Sequence, residues 1–172
     1  MSDRKTSTQK LVTAALFLAI GMILPFVTGQ IPAVGKALLP MHIPVLLCGF
    51  ICGWPYGLIV GVVLPLLRSV VFGMPVLYPT ALSMAVELAV YGFVTGFLYH
   101  KLKKGWGAIY LTLLIAMLTG RIAWGLASVG LFAAVGDGFT WKLFVAQGFL
   151  NAIPGIVIQL LLIPVLVKRL ER

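Results

Sequence analysis

The chain has 172 residues, 61% of them hydrophobic and 10% charged, with a mean hydropathy of +1.10. Soluble domains run at about 45–50% apolar and about 25% charged, and a globule this small cannot hide so much apolar side chain beneath a polar skin. The formal charge of +9 would suggest nucleic acid in a soluble protein. Here, however, the basic residues stand in short stretches between apolar runs, without the aromatic interleaving of a nucleic-acid surface.

The first apolar run follows Arg4, Lys5 and Lys10 and predicts a spanning helix over about 9–28. Its basic start is also that of a signal peptide, but it lacks a small-x-small cleavage pattern after the apolar segment, so it reads as a mature helix. From Ile43 to Phe72 the only charge is Arg68, at the far end of the run. Thirty residues of helix would be about 45 Å long, too much for a hydrocarbon core of about 30 Å. Gly53-Trp54-Pro55-Tyr56-Gly57 is a turn signal in its middle, which gives two shorter helices over about 41–53 and 57–73. Further spans are predicted over 79–99, 106–133 and 142–167. The fold class is therefore an all-α polytopic membrane bundle of six helices in a single domain.

With six spans and both termini cytoplasmic, nine basic residues lie inside (Arg4, Lys5, Lys10, Lys101, Lys103, Lys104, Lys168, Arg169, Arg172) and two outside, Lys36 and Lys142. That asymmetry obeys the positive-inside rule, whereas merging spans two and three would reverse it.

Charges within a bilayer are costly and mark functional sites by default. Three qualify. From the helix rise, Arg68 lies about 8 Å below the outer surface, Glu87 about 10–12 Å and Arg121 about 18 Å. Arg68 and Glu87, at similar depth on consecutive helices, are candidates either for a structural ion pair or for the site. Arg121 lacks an acidic partner on this reading, because Asp3, Asp137 and Glu171 fall in tails or loops. Arginine in a pocket suits a carboxylate, which it grips with two parallel hydrogen bonds. Trp124 shares nearly the same helix face and would wall a small organic ligand. Gln147 and Asn151, four apart on the last span, are candidate ligand contacts, with Gln159 a further four-residue multiple along. His42 reads as an interface residue, and Cys48 and Cys52 as small packing residues; no metal-ligand cluster is present. Gly49–Gly53, Gly57–Gly61, Gly92–Gly96 and Ala15–Ala19 each place small residues four apart, where helix backbones can approach closely.

The length, the six spans, Ala15-x-x-x-Ala19, the run Met41-His-Ile-Pro-Val-Leu-Leu-Cys-Gly-Phe, Gly73-Met-Pro-Val-Leu-Tyr-Pro, Glu87-Leu-Ala-Val-Tyr-Gly and Asn151-Ala-Ile-Pro-Gly together resemble the substrate-binding S components of energy-coupling factor vitamin transporters. The resemblance, closest to the pantothenate, folate and riboflavin branch, covers nearly the whole chain. It implies a multi-pass protein of the bacterial cytoplasmic membrane that binds a water-soluble vitamin from outside. It also implies docking, through the alanine face of Ala15 and Ala19, on a transmembrane coupling protein that works with two cytoplasmic ATPases. ATP would be used by those partners, since the chain has no Gly-x-x-x-x-Gly-Lys motif and no cofactor of its own. Two buried arginines against one glutamate favour a carboxylate substrate, pantothenate first. The rival readings are a stand-alone proton- or sodium-coupled transporter, a small membrane enzyme, for which no nucleophile–base pair or paired carboxylates are present at depth, and a structural or channel role.

Overall fold

The computed structural model describes residues 6–27, 37–134, 136 and 138–171. Asp3, Arg4, Lys5, Lys36, Asp137 and Arg172, used above to set orientation or to seek a partner for Arg121, lie outside the described residues. Every regular element among the described residues is helical: α1 Ser7–Val27, α2 His42–Cys52, α3 Trp54–Phe72, α4 Leu82–Lys101, α5 Trp106–Ala133, α6 Trp141–Val145 and α7 Ile153–Leu170. Wide turns precede α4 (Leu77–Ala81) and α7 (Ala146–Leu150). Five stretches are long and apolar enough to cross a membrane.

Local chemistry explains the boundaries. Thr6 and Gln9 form a reciprocal cap on α1: the Gln9 N–H donates to Thr6 Oγ1 (3.3 Å) and the Thr6 N–H to Gln9 Oε1 (2.9 Å). Gly53 turns the chain between α2 and α3 with φ of 96°, a conformation that side chains with a Cβ rarely adopt. Pro55 then sits in the first turn of α3, where its missing N–H costs nothing. The third helix therefore begins at Trp54, earlier than the expected residue 57. Gly73, at φ 70°, closes α3 through its N–H to Ser69 O (2.9 Å).

Two of the predicted spans differ in kind from simple helices. The second is only eleven residues long, about 16 Å by helix rise, and nine of those residues are buried. It begins inside the bundle, after an irregular stretch in which Leu39 adopts a φ of 51°. Non-helical backbone is tolerated at such depth because protein surrounds it; Leu39 and Met41 are buried. The last span is broken. The Asn151 N–H bonds to Ala146 O (2.8 Å), five residues back, and Pro154 then opens α7. The wide turn over Ala146–Leu150 interrupts the regular α-helix there, while Trp141–Leu170 remains one apolar stretch of crossing length.

Glycine places the helices against one another. A Cβ on Gly57 would collide with the backbone of Gly92, one on Gly61 with Leu88, one on Gly96 with Trp54 and one on Gly49 with Gly92 and Thr95. The spaced glycines of α2, α3 and α4 thus serve packing within the bundle, as close-approach positions do in membranes. One continuous apolar core runs through α1, α2, α3, α4, α5 and α7, from Ala14 and Phe17 through Val45, Leu64, Leu88 and Leu113 to Ile163 and Val167.

The ends of the bundle are fixed by polar ties. Tyr56 Oη, beside the α2–α3 turn, donates to Ser7 O (3.3 Å). Tyr99 Oη and Lys104 Nζ both donate to the Glu171 carboxylate (2.7 and 2.8 Å). The start of α1 and the end of α7 therefore emerge at the same end, together with Lys10, Lys101, Lys103, Lys104, Lys168 and Arg169. The positive-inside rule makes this the cytoplasmic end. At the opposite end Tyr78 Oη donates to Leu131 O (2.9 Å), tying the stretch before α4 to α5.

Candidate functional site

Where α2 begins, inside the bundle, three ionisable side chains converge from three helices. Glu87 of α4 is 2% exposed and Arg121 of α5 is 5% exposed; Arg121 Nη1 lies 2.8 Å from Glu87 Oε1. His42, the first residue of α2, places Nε2 3.5 Å from Glu87 Oε2. One turn along α4, the Tyr91 ring packs edge-on against His42, with centroids 5.4 Å apart. Gly120 makes that arrangement possible, because a side chain there would collide with the Tyr91 ring.

This arrangement corrects three expectations. Arg121 is paired, and its partner is Glu87. Arg68 does not pair with Glu87: its Nη1 donates to Met22 O of α1, and its guanidinium packs against Phe26 and Phe72 at 5.0 and 5.2 Å from the ring centroids. The physical reason is helix face. Arg68 points from α3 toward α1, whereas Glu87 points toward α2 and α5. His42 is no interface residue, being 1% exposed and in contact with the buried carboxylate. Sequence reasoning passed over it, although an ionisable group opening a charge-free run just before Pro44 was a usable signal.

The ion pair leaves Arg121 partly unused. The Nη1–Oε1 contact is close but lacks the alignment of a hydrogen bond, and Arg121 Nε and Nη2 are buried with no hydrogen-bond partner among the described residues. Nη1 is the nitrogen on the Cδ side of the guanidinium. The free Nε–H and Nη2–H therefore point the same way, forming the fork that receives both oxygens of a carboxylate. Among the described residues His42 Nδ1 has no hydrogen-bond partner, and Nε2 faces only the Glu87 carboxylate.

The outer segment covers this cluster. Trp124, three residues beyond Arg121, is buried; it stacks on Phe144 (6.1 Å) and meets Phe139 edge-on (5.4 Å). Gly148 lies against both Trp124 and the Arg121 side chain, so that a Cβ there would be 3.5 Å from the indole and 4.0 Å from Arg121 Cδ. Gln147 beside it is half-buried. Asn151 is exposed, and no hydrogen bond joins its side chain to the cluster among the described residues. The fully buried amide of the last helix is Gln159. A groove of about 300 Å³ lined by Ile122, Leu126, Val129, Phe139, Trp141 and Phe144 runs along the outward side of α5; its apolar walls offer nothing to a charged solute. Ala15 and Ala19 are exposed on α1, whose Ala14, Phe17 and Gly21 face the bundle.

Helices of crossing length around a buried Glu–Arg–His cluster define an integral membrane protein with a polar interior. A family model for the substrate-specific component of ECF transporters matches residues 9–167, and the chain belongs to that family. It is accordingly a subunit of a membrane transporter and not an enzyme. Neither a curated protein nor a solved structure matches the chain.

Proposed function

We propose that the chain captures a small vitamin bearing a carboxylate, pantothenate first among the candidates, from outside the bacterial cytoplasmic membrane. It then delivers that vitamin through a coupling protein and two cytoplasmic ATPases. The observation that carries this reading is the unpartnered Nε/Nη2 edge of Arg121. A buried guanidinium nitrogen without an acceptor costs free energy, and a bound carboxylate removes that cost without disturbing the Glu87 contact on Nη1. Glu87 thereby keeps the arginine charged and oriented at a depth where an isolated cation would be expensive. Trp124 supplies an apolar wall, and the Trp141–Leu150 segment above it must shift to admit the solute, with Gln147 at its rim. Arg68, engaged with α1, holds the outer ends of α1 and α3 together beside the site.

The exposed Ala15 and Ala19 support docking along α1, because small side chains let a partner helix approach closely. α1 is also the span least buried within the bundle. ATP is spent by the partner subunits on this reading, the chain itself holding only substrate.

Titration calorimetry of the purified protein against a panel of vitamins tests the reading. Pantothenate should bind, and Arg121→Met, assayed where the destabilised variant is still folded, should abolish that binding. Pantothenate binding unchanged in Arg121→Met would overturn the arginine assignment. Uptake that proceeds without partner subunits and collapses with a proton uncoupler would favour a stand-alone transporter working through Glu87.

A further inference from the structure

We infer that Gln159 of α7 is a second substrate anchor, which hydrogen-bonds an uncharged polar group of the same molecule whose carboxylate Arg121 holds. The inference rests on the reading of the Arg121 cluster as the substrate seat. Gln159 is 0% exposed, and both its amide nitrogen and its amide oxygen lack a partner among the described residues. Such a group is a standing cost to the fold, since a buried amide is nearly always hydrogen-bonded.

Its position supports the assignment. The buried stripe of α7 runs through Gly155, Gln159, Ile163 and Val167, and α7 packs against α2 and α5, the helices that carry His42 and Arg121. Gly155 abuts the backbone of Ala37 and Leu38, just ahead of α2. The Tyr99–Glu171 hydrogen bond sets a common level for α4 and α7. Glu87 and Gln159 both lie twelve residues outward from it, about 18 Å by helix rise. Gln159 therefore stands at the depth of the Glu87–Arg121 pair on the facing helix. Thr112, also buried and without a hydrogen-bond partner among the described residues, lies nine residues before Arg121, about 14 Å nearer the cytoplasmic end, too far to satisfy the amide. A carboxylate only accepts, so it does not satisfy the amide oxygen. An amide or hydroxyl does, because Gln159 offers it both a donor and an acceptor.

The test is Gln159→Met, a change that keeps the side chain's length and removes its polar atoms. The midpoint of thermal unfolding without ligand should stay level or rise, since an unpaired buried group is lost. Affinity for pantothenate should fall about 10–100-fold, the range for leaving one buried partner unpaired. A midpoint lowered by several degrees would assign Gln159 to the fold and overturn the proposal, as would unchanged affinity in a stable variant while Arg121→Met abolishes binding. Gln159-dependent binding of an uncharged vitamin, with no carboxylate bound by the wild type, would uphold the anchor and defeat the Arg121 reading. A wild type that binds no vitamin of the panel defeats both.

Discussion

Replacing Glu87 by glutamine strips the charge that faces Arg121 while preserving the side chain's shape. With charge centres about 4 Å apart, the attraction is about 4 kcal/mol at an effective dielectric near 20. Removing one member of a buried pair typically costs ~3–5 kcal/mol, because the survivor stays buried and uncompensated. The glutamine oxygen still turns its dipole toward Arg121, which places Glu87→Gln at the lower end of that range. Arg121→Met leaves the carboxylate with the neighbouring His42 and Tyr91 side chains but without its arginine and should cost a similar amount. The double variant removes both charges and should be far milder than the sum, since paired buried charges can be exchanged for apolar groups at little net loss. A double-mutant cycle by reversible detergent unfolding should therefore return a coupling energy of about 2–4 kcal/mol. Neutral interhelical hydrogen bonds in membranes average only about 0.6 kcal/mol in such cycles. A coupling at or below that level would show that Glu87 and Arg121 do not act as a charge pair.

Gly57→Ala should destabilise the bundle by about 1–3 kcal/mol or more, because the new methyl meets the Gly92 backbone and not a flexible side chain. Gly107→Ala, in open space at the start of α5, should be neutral or stabilise by about 0.5–1 kcal/mol; equal losses in the two would refute the packing account. Arg68→Met should cost about 2–3 kcal/mol by removing a charged hydrogen bond and two ring contacts, while vitamin affinity stays within about twofold. An affinity loss matching that of Arg121→Met would return Arg68 to the site. Trp at Ala15 or Ala19 should leave folding and substrate binding intact and abolish co-purification with the coupling protein; retained association would move the docking face elsewhere.

Much of the architecture was legible from composition and punctuation. Gly53-Trp54-Pro55 reads as a turn because a positive-φ glycine and a first-turn proline leave few alternatives, and the span over 106–133 is uninterrupted in sequence and in structure alike. The broken last span was harder to read, since Pro154 is compatible with either a kink or a fresh start until the Asn151–Ala146 hydrogen bond fixes it. Helix rise alone set Glu87 level with Arg68 and above Arg121, whereas the structure brings Glu87 to Arg121.

What sequence by itself determined is the solvent of this chain and its direction in it: 61% hydrophobic residues require a bilayer, and the placement of lysine and arginine orients the helices. These properties depend on counts and on position along one axis. Which charge meets which was decided by the tertiary structure alone. Pairing depends on the rotation of each helix about its own axis, and here that rotation is set by contacts such as Gly57 on Gly92 and Gly120 on Tyr91. Those contacts turn Arg68 to α1, bring His42 and Arg121 to Glu87, and leave one edge of Arg121 and the amide of Gln159 without partners among the described residues.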